Sequence, residues 1–238
     1  MTATDPTHLL DNPVWSALTG IQRGFGVTNE LAGRFAPDRS PFGAFCEEPG
    51  RDHWQAMAEL VGPRGVVGPV GVLGDVPEGW TQIWKGHGLQ MVGDRISAAP
   101  ADGPPGELAD VVVDLGKDDV DDMLDLVALA EPGPFERRTI EFGGYVGVRR
   151  HGRLVAMAGE RMQLPGFSEI SAVATHPEAR REGLARELVS RVARSIIDRG
   201  NTPVLHASST NQAAIALYRA MGFTPRRLIT FGRVQAPG

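Results

Sequence analysis

Two short segments carry residue types suited to holding an anionic ligand. The first, Phe167 to Ala185, reads FSEISAVATHPEARREGLA. It predicts a strand ending at Thr175, a turn through His176-Pro177, and a helix entered through Arg180, Arg181, Glu182, Gly183, Leu184 and Ala185. Free backbone N–H groups at such a helix start point outward, and the helix dipole adds partial positive charge. Gly183 removes a side chain where a pyrophosphate would approach the backbone, and the small Ala185 lets the helix pack close to it. An ordinary arginine-rich helix start can show the same spacing, so this motif needs company. The second segment, Asn211 to Phe223, reads NQAAIALYRAMGF and follows a predicted strand at Val204 to Ala207.

Charge is distributed to match. The 238-residue chain has a net charge of −5, which argues against nonspecific nucleic-acid binding by the whole. Residues 177–238, however, hold ten basic and four acidic side chains, and a locally positive segment suits a small polyanion. A single cysteine, Cys46, excludes an internal disulfide and a Cys-rich zinc site and fits a reducing cytoplasm. No stretch is long and apolar enough to cross a bilayer, and Met1 to Trp15 carries Asp5 and Asp11 without Lys or Arg, so neither a membrane span nor a secretory signal is expected. The aspartates at 114, 118, 119, 121, 122 and 125 miss the calcium-loop spacing, and the glycines of Gly62 to Gly74 lack the P-loop lysine, so no metal is expected.

The elements that must position these segments fall into two parts. Up to Gly106 the periodicity is weak: a helix over Asn12 to Ile21 with Val14, Trp15, Leu18 and Ile21 on one face, an extended stretch through Phe35, Phe42 and Phe45, a helix over Asp52 to Leu60, and strands over Val66 to Leu73 and Gln82 to Val92. The run AAPADGPPG, Ala98 to Gly106, reads as a linker. Beyond it the pattern alternates: strand Asp110 to Leu115, helix Asp118 to Ala130, a hairpin of Tyr145 to Arg149 with Arg153 to Met162, strand Glu169 to Thr175, helix Gly183 to Arg199, strand Pro203 to Ala207, helix Asn211 to Met221, and a final extended pair over Phe223 to Val234. Helix Asp118 to Ala130 is expected to turn Val120, Leu124, Val127 and also Met123 and Ala128 inward. The expected fold class is α/β (α+β).

From Asp110 to Val234 the chain resembles the GCN5-related N-acetyltransferase (GNAT) family. The resemblance lies in Arg180, Gly183 and Ala185, in the THPEAR turn, in Asn211 before the last long helix, and in the Leu-Tyr-x-x-x-Gly-Phe ending. The EISAV strand, with LHA and SSTN, is similar to the FR47-like branch. This implies a GNAT fold: a central, mixed, mostly antiparallel sheet flanked by helices. Acetyl-CoA is then the expected co-substrate, lying where the strands ending at Thr175 and near Ala207 splay apart. The resemblance implies that main-chain groups of Val173, Ala174 and Thr175 pair with the pantetheine arm, that Arg180 and the amides of Arg181, Glu182, Gly183, Leu184, Ala185 and Arg186 hold the pyrophosphate, and that Asn211 contacts CoA. One departure is Arg181, where the family often has Gly; its bulk would narrow the phosphate turn or its charge would help hold the phosphates.

Transfer to an amine calls for a general base and a general acid. The resemblance makes Tyr218 the acid. For the base it offers two residues: Glu169, where histone-type members carry a catalytic glutamate, and His206, five residues before Asn211, where ribosomal-protein alanine acetyltransferases place one. A packed core tyrosine, a solvated glutamate and a satisfied histidine are the plain alternatives. The domains expected are 1–106, a degenerate GNAT-like module plus linker using Trp15, Phe35 or Trp84 to wall an acceptor pocket, and 107–238, the GNAT domain. The function implied is acetyl-CoA-dependent N-acetylation of a primary amine, on a small molecule or peptide, by a monomer or homodimer without nucleic-acid or membrane partners. The alternative is a non-catalytic acyl-CoA-binding sensor.

Overall fold

The computed structural model describes residues 6–71, 74–96 and 112–238. The linker at Ala98 to Gly106 lies outside the described residues. In the first part a helix α1 (Pro13–Thr19) precedes three short strands, β1 (Gly26–Thr28), β2 (Ala32–Phe35) and β3 (Phe42–Phe45). Then follow α2 (Arg51–Val61), β4 (Val66–Gly71) and the long β5 (Thr81–Val92). The second part runs β6 (Val112–Leu115), α3 (Val120–Ala130), β7 (Tyr145–Arg150), β8 (Arg153–Leu164), β9 (Phe167–Thr175), α4 (Leu184–Asp198), β10 (Thr202–Ser208), α5 (Gln212–Ala220) and β11 (Thr224–Gln235).

All eleven strands join one mixed, mostly antiparallel sheet in the order β1-β2-β3-β4-β11-β5-β10-β9-β8-β7-β6, with helices on its faces. Only β3/β4 and β9/β10 are parallel, each pair joined by a crossover helix, α2 or α4. The pairing pattern is the same on either side of the central β5/β11 pair: antiparallel β4/β11 mirrors β10/β5, and β2/β3 mirrors β8/β9. Residues Phe223 to Val234 do not form a pair of strands. They make one strand with two bulges, paired with β5 from Thr224↔Val92 to Gln235↔Thr81, because the neighbouring position is filled by β5 from the first part.

Periodicity placed the buried faces well where it was strong. Leu184, Leu188, Val192 and Ile196 of α4 are all buried against the sheet. Trp54 and Met57 of α2 pack with Phe45 and Val67. Helix α3 is rotated from its expected face: Val120, Met123 and Leu126 are buried, Leu124 and Val127 only partly, and Ala128 is exposed. Helix α1 stops at Thr19, capped at Gly20, and leaves Ile21 exposed. The β7/β8 hairpin turns at His151-Gly152, both with positive φ (50° and 81°), as a two-residue turn requires. Among the described residues no helix is long and apolar enough to cross a membrane.

Candidate active site at the splayed strands

The site begins with a defect in β9. Met157 pairs with Ala174 and Gly159 with Ser171, so β9 has one more residue than β8 between these pairs, and Ala172 takes a left-handed φ of 51°. The parallel ladder between β9 and β10 stops at Ile170↔Leu205, although β9 continues to Thr175 and β10 to Ser208. Past that vertex the strands diverge, and the backbone of Val173, Ala174 and Thr175 has no ladder partner on its β10 side. A cavity of about 1530 Å³ occupies the gap and the space beyond it. That exceeds the ~300–1,000 Å³ of a usual small-ligand pocket.

One end of the cavity is the turn into α4. Gly183 caps this helix with φ 84°, and Arg181 has φ 69°. The backbone at Arg181 thus follows a glycine-like path at a cost of about 1–2 kcal/mol, and its side chain lies exposed. Arg180 and Arg186 are exposed on the same turn, and Leu184 and Ala185 line the cavity behind it. Glu182 differs: its carboxylate accepts from Arg150 Nη2 at 2.6 Å, and it does not line the cavity. Opposite, Asn211 caps α5, its Oδ1 accepting from the Ala214 amide at 3.0 Å. Tyr218 is 7% exposed and its hydroxyl makes no hydrogen bond among the described residues. Burial pushes the phenol up to about 12.

The chain belongs to the GNAT family. This rests on a solved structure of a GNAT-family protein from Novosphingobium aromaticivorans: it is 35% identical, with a TM-score of 0.86, over 97% of this chain and all of that one. Residues 145–230 match the FR47-like protein family. A GCN5-related N-acetyltransferase from Kribbella flavida aligns over 98% of this chain and 96% of its own at 14% identity, TM-score 0.60. A GCN5-related N-acetyltransferase-like protein from Streptococcus suis aligns over 93% and 92% at 16% identity, TM-score 0.59. These two show the fold alone. No curated protein matches the chain.

Of the catalytic and cofactor-binding residues expected from the sequence, this GNAT structure brings all but Glu169 and Glu182 to the cavity wall. Glu169 is 1% exposed and closed on all sides. Its Oε1 accepts from Arg161 Nη2 and His206 Nδ1, both at 2.8 Å, and its Oε2 from Arg161 Nε at 2.9 Å and the Met162 amide at 3.4 Å. Burial alone would raise this carboxyl, but the Arg161 charge and the bonds from His206 and Arg161 outweigh it and hold it at about 2. His206 reaches the wall, yet its Nε2 meets Gln90 Nε2 at 3.1 Å. Gln90 Oε1 accepts from Arg226, so its amide nitrogen donates to His206 and to the Leu10 carbonyl. A chain of contacts therefore runs Arg161, Glu169, His206, Gln90, Arg226, Asp11, joining the two parts of the molecule. His176 is buried, its Nδ1 accepting from the Glu178 amide and its Nε2 meeting Arg153, so it shapes the turn rather than the cleft.

Sequence reading anticipated the far wall only in part. Pro41, Phe42, Trp84, His87 and Gly88 of the first part line it, with Arg161, Phe231 and Arg233. Trp84 was expected there; Trp15 and Phe35 belong to an apolar cluster and do not line it. Arg161 could have been noticed as a charge inside the otherwise buried strand β8. Glu136, on the loop after α3, also lines the cavity, and burial raises its pKa, with Asp38 adding to the rise and Arg233 opposing it.

Cys46, Glu47 and His53 approach one another at the start of α2, with His53 Nε2 3.5 Å from both Cys46 Sγ and Glu47 Oε1. His53 Nδ1 accepts from the Gly50 amide at 3.3 Å, so the ring proton is on Nε2, and the histidine serves as part of the helix cap.

Proposed function

We propose that the cleft binds acetyl-CoA and transfers its acetyl group to a primary amine by direct attack. The observation that carries this reading is the splay itself: an unladdered β9 edge leads straight into a helix start whose Arg181 and Gly183 take left-handed conformations, with an unpaired tyrosine hydroxyl on the same wall. The co-substrate supplies a thioester whose carbonyl carbon forms the new C–N bond as the C–S bond breaks. Main-chain groups of Val173, Ala174 and Thr175 pair with the pantetheine arm as a strand pairs with a sheet edge. The amides from Arg181 to Arg186, with Arg180, hold the pyrophosphate, and Asn211 adds a contact with CoA. An amide near Val173 or Ala174 stabilises the developing oxyanion. Tyr218, protonated at every ordinary pH, gives its proton to the leaving thiolate.

Glu169 and His206 take a different part from the bases expected. A carboxyl held at about 2 and bonded at both oxygens is a poor proton acceptor, and His206 is engaged at both ring nitrogens. In this reading they position Arg161 and the vertex, and water in the open cleft removes the amine proton. Residues 1–106 then act as a GNAT-like module that contributes the far wall through Phe42, Trp84 and His87. The rival, a non-catalytic acyl-CoA sensor, is favoured by the absence of a free base at the vertex among the described residues; the unpaired Tyr218 hydroxyl weighs against it.

The test is thiol release from acetyl-CoA over a panel of amines beside Tyr218→Phe and a CoA titration. Removing the acid should lower kcat about a hundredfold while the CoA Kd stays within about threefold. The pH dependence of the parent chain should follow the acceptor's own pKa and move with the amine chosen. No turnover with intact CoA binding selects the sensor.

A further inference from the structure

Arg161 is a buried cation on the cleft wall that no step above uses. It is 7% exposed, and its guanidinium lies over the Phe42 ring, 4.7 Å from the centroid. Nε and Nη2 are fixed by the Glu169 carboxylate. The third nitrogen, Nη1, has no hydrogen-bond partner among the described residues, and the side chain lines the cavity beside the vertex where β9 and β10 part. Opening onto the cavity, Nη1 offers a donor that a ligand oxygen can take up, and a hydrogen bond from a charged, largely buried guanidinium is stronger than one between neutral groups in water. Because the amine must reach the thioester in the splay, a donor at the vertex reads atoms close to the reacting nitrogen.

The kind of oxygen follows from charge. Glu169 already neutralises Arg161, and a second carboxylate against the same guanidinium would bring an extra buried anion with no cation of its own. A neutral carbonyl oxygen accepts the bond without that penalty. We propose that Arg161 selects acceptors bearing a carbonyl on the carbon that carries the amine, as in a peptide N-terminus or an amino-acid amide, by donating from Nη1 to that oxygen. This rests on the cleft being the amine site described above.

The test uses the full chain and three probes, glycinamide, glycine and propylamine, compared at equal concentrations of unprotonated amine. Binding is measured by calorimetry with and without CoA, and turnover by thiol release. Glycinamide should bind at least about tenfold more tightly than propylamine. In Arg161→Lys, which keeps a cation beside Glu169 but loses the fork, that ratio should fall toward one, with CoA binding as the check on folding. If the variant does not fold, the ranking in the parent chain decides alone. Equal binding of glycinamide and propylamine overturns the proposal, and glycine binding as well as or better than glycinamide replaces the carbonyl with a carboxylate and overturns it too. A glycinamide preference that persists in the folded variant overturns the proposal, whereas one in the parent chain that is lost in Arg161→Lys, without acetyl transfer, leaves Arg161's role standing and sinks the transferase reading. Transfer to all three at equal rates does the reverse.

Discussion

The molecule makes the same turn twice and uses it differently. Strands β3 and β9 each pass through a helix to a parallel neighbour, yet it is at the second crossover that the parallel ladder stops short and the strands splay. In the second, the bulge at Ala172 ends the ladder early, Arg181 and Gly183 turn left-handed, and Arg180, Arg181 and Arg186 surround the helix start. In the first, β3 is four residues long and pairs with β4 at Phe42↔Gly68 and Gly43↔Pro69. Its helix is entered through Gly50 in an extended conformation, with Glu47, Glu48 and Asp52 outnumbering a single Arg51 where the other has three arginines. Those carboxylates answer the helix dipole from within the chain and repel an outside anion. The topology is shared; what differs is a bulge, two left-handed residues and the sign of the local charge.

The largest expected effect comes from separating the halves. A chain of residues 107–238 lacks β5, which leaves β10 without its antiparallel neighbour and β11 without both. It should show no cooperative unfolding transition by circular dichroism. A cooperative, CoA-binding fragment would mean the halves are independent. Next is the polar chain between them. Glu169→Gln strands the buried Arg161 charge and should cost about 3–5 kcal/mol in urea unfolding. Because the folded carboxyl lies at about 2, below its unfolded value, its stabilisation is complete above roughly pH 5 and is lost as pH falls toward 2. The glutamine variant should lack that part of the acid slope.

A third change sets one crossover against the other. Gly183→Asp places a carboxylate at the proposed phosphate turn and should weaken CoA about a hundredfold by calorimetry, roughly 2.7 kcal/mol, while Gly50→Asp leaves the CoA Kd within twofold. Equal losses from the two would remove the distinction drawn between the turns. The smallest effect is local strain. Arg181→Gly relieves a left-handed arginine at the cost of a freer unfolded chain and should stabilise by about 0.5 kcal/mol in urea unfolding.

How much of this could be read beforehand divides along the same line. Helix α4, with apolar residues every three or four positions and a glycine at each end, was legible almost to the residue because local pattern and tertiary burial agree there. The glycine turn into α4 and the helix that carries Tyr218 were legible through motif. What sequence could not show is what non-local pairing decides. Nothing within Phe223 to Val234 states that its partner is β5, about 140 residues earlier, rather than its own other half. Glu169 stands where a base was expected, but the residues that disarm it, Arg161 and His206, lie on neighbouring strands whose register no short-range pattern encodes. The rotated face of α3 has a similar origin: two nearly equal apolar stripes compete, and contact with Leu154 and Met157 of β8 chooses between them.

The interleaving of β5 and β11 also bears on how the protein comes into being. During synthesis β4 and β5 emerge early, but the strand that belongs between them is the last of the eleven to be made. Until then both present unsatisfied edges, which invite pairing with another chain. The sheet can close only after nearly the whole polypeptide has appeared. Long-range pairings of this kind slow folding and lengthen exposure to aggregation. A nascent chain arrested before Thr224 should therefore hold an open seam down the middle of its future sheet.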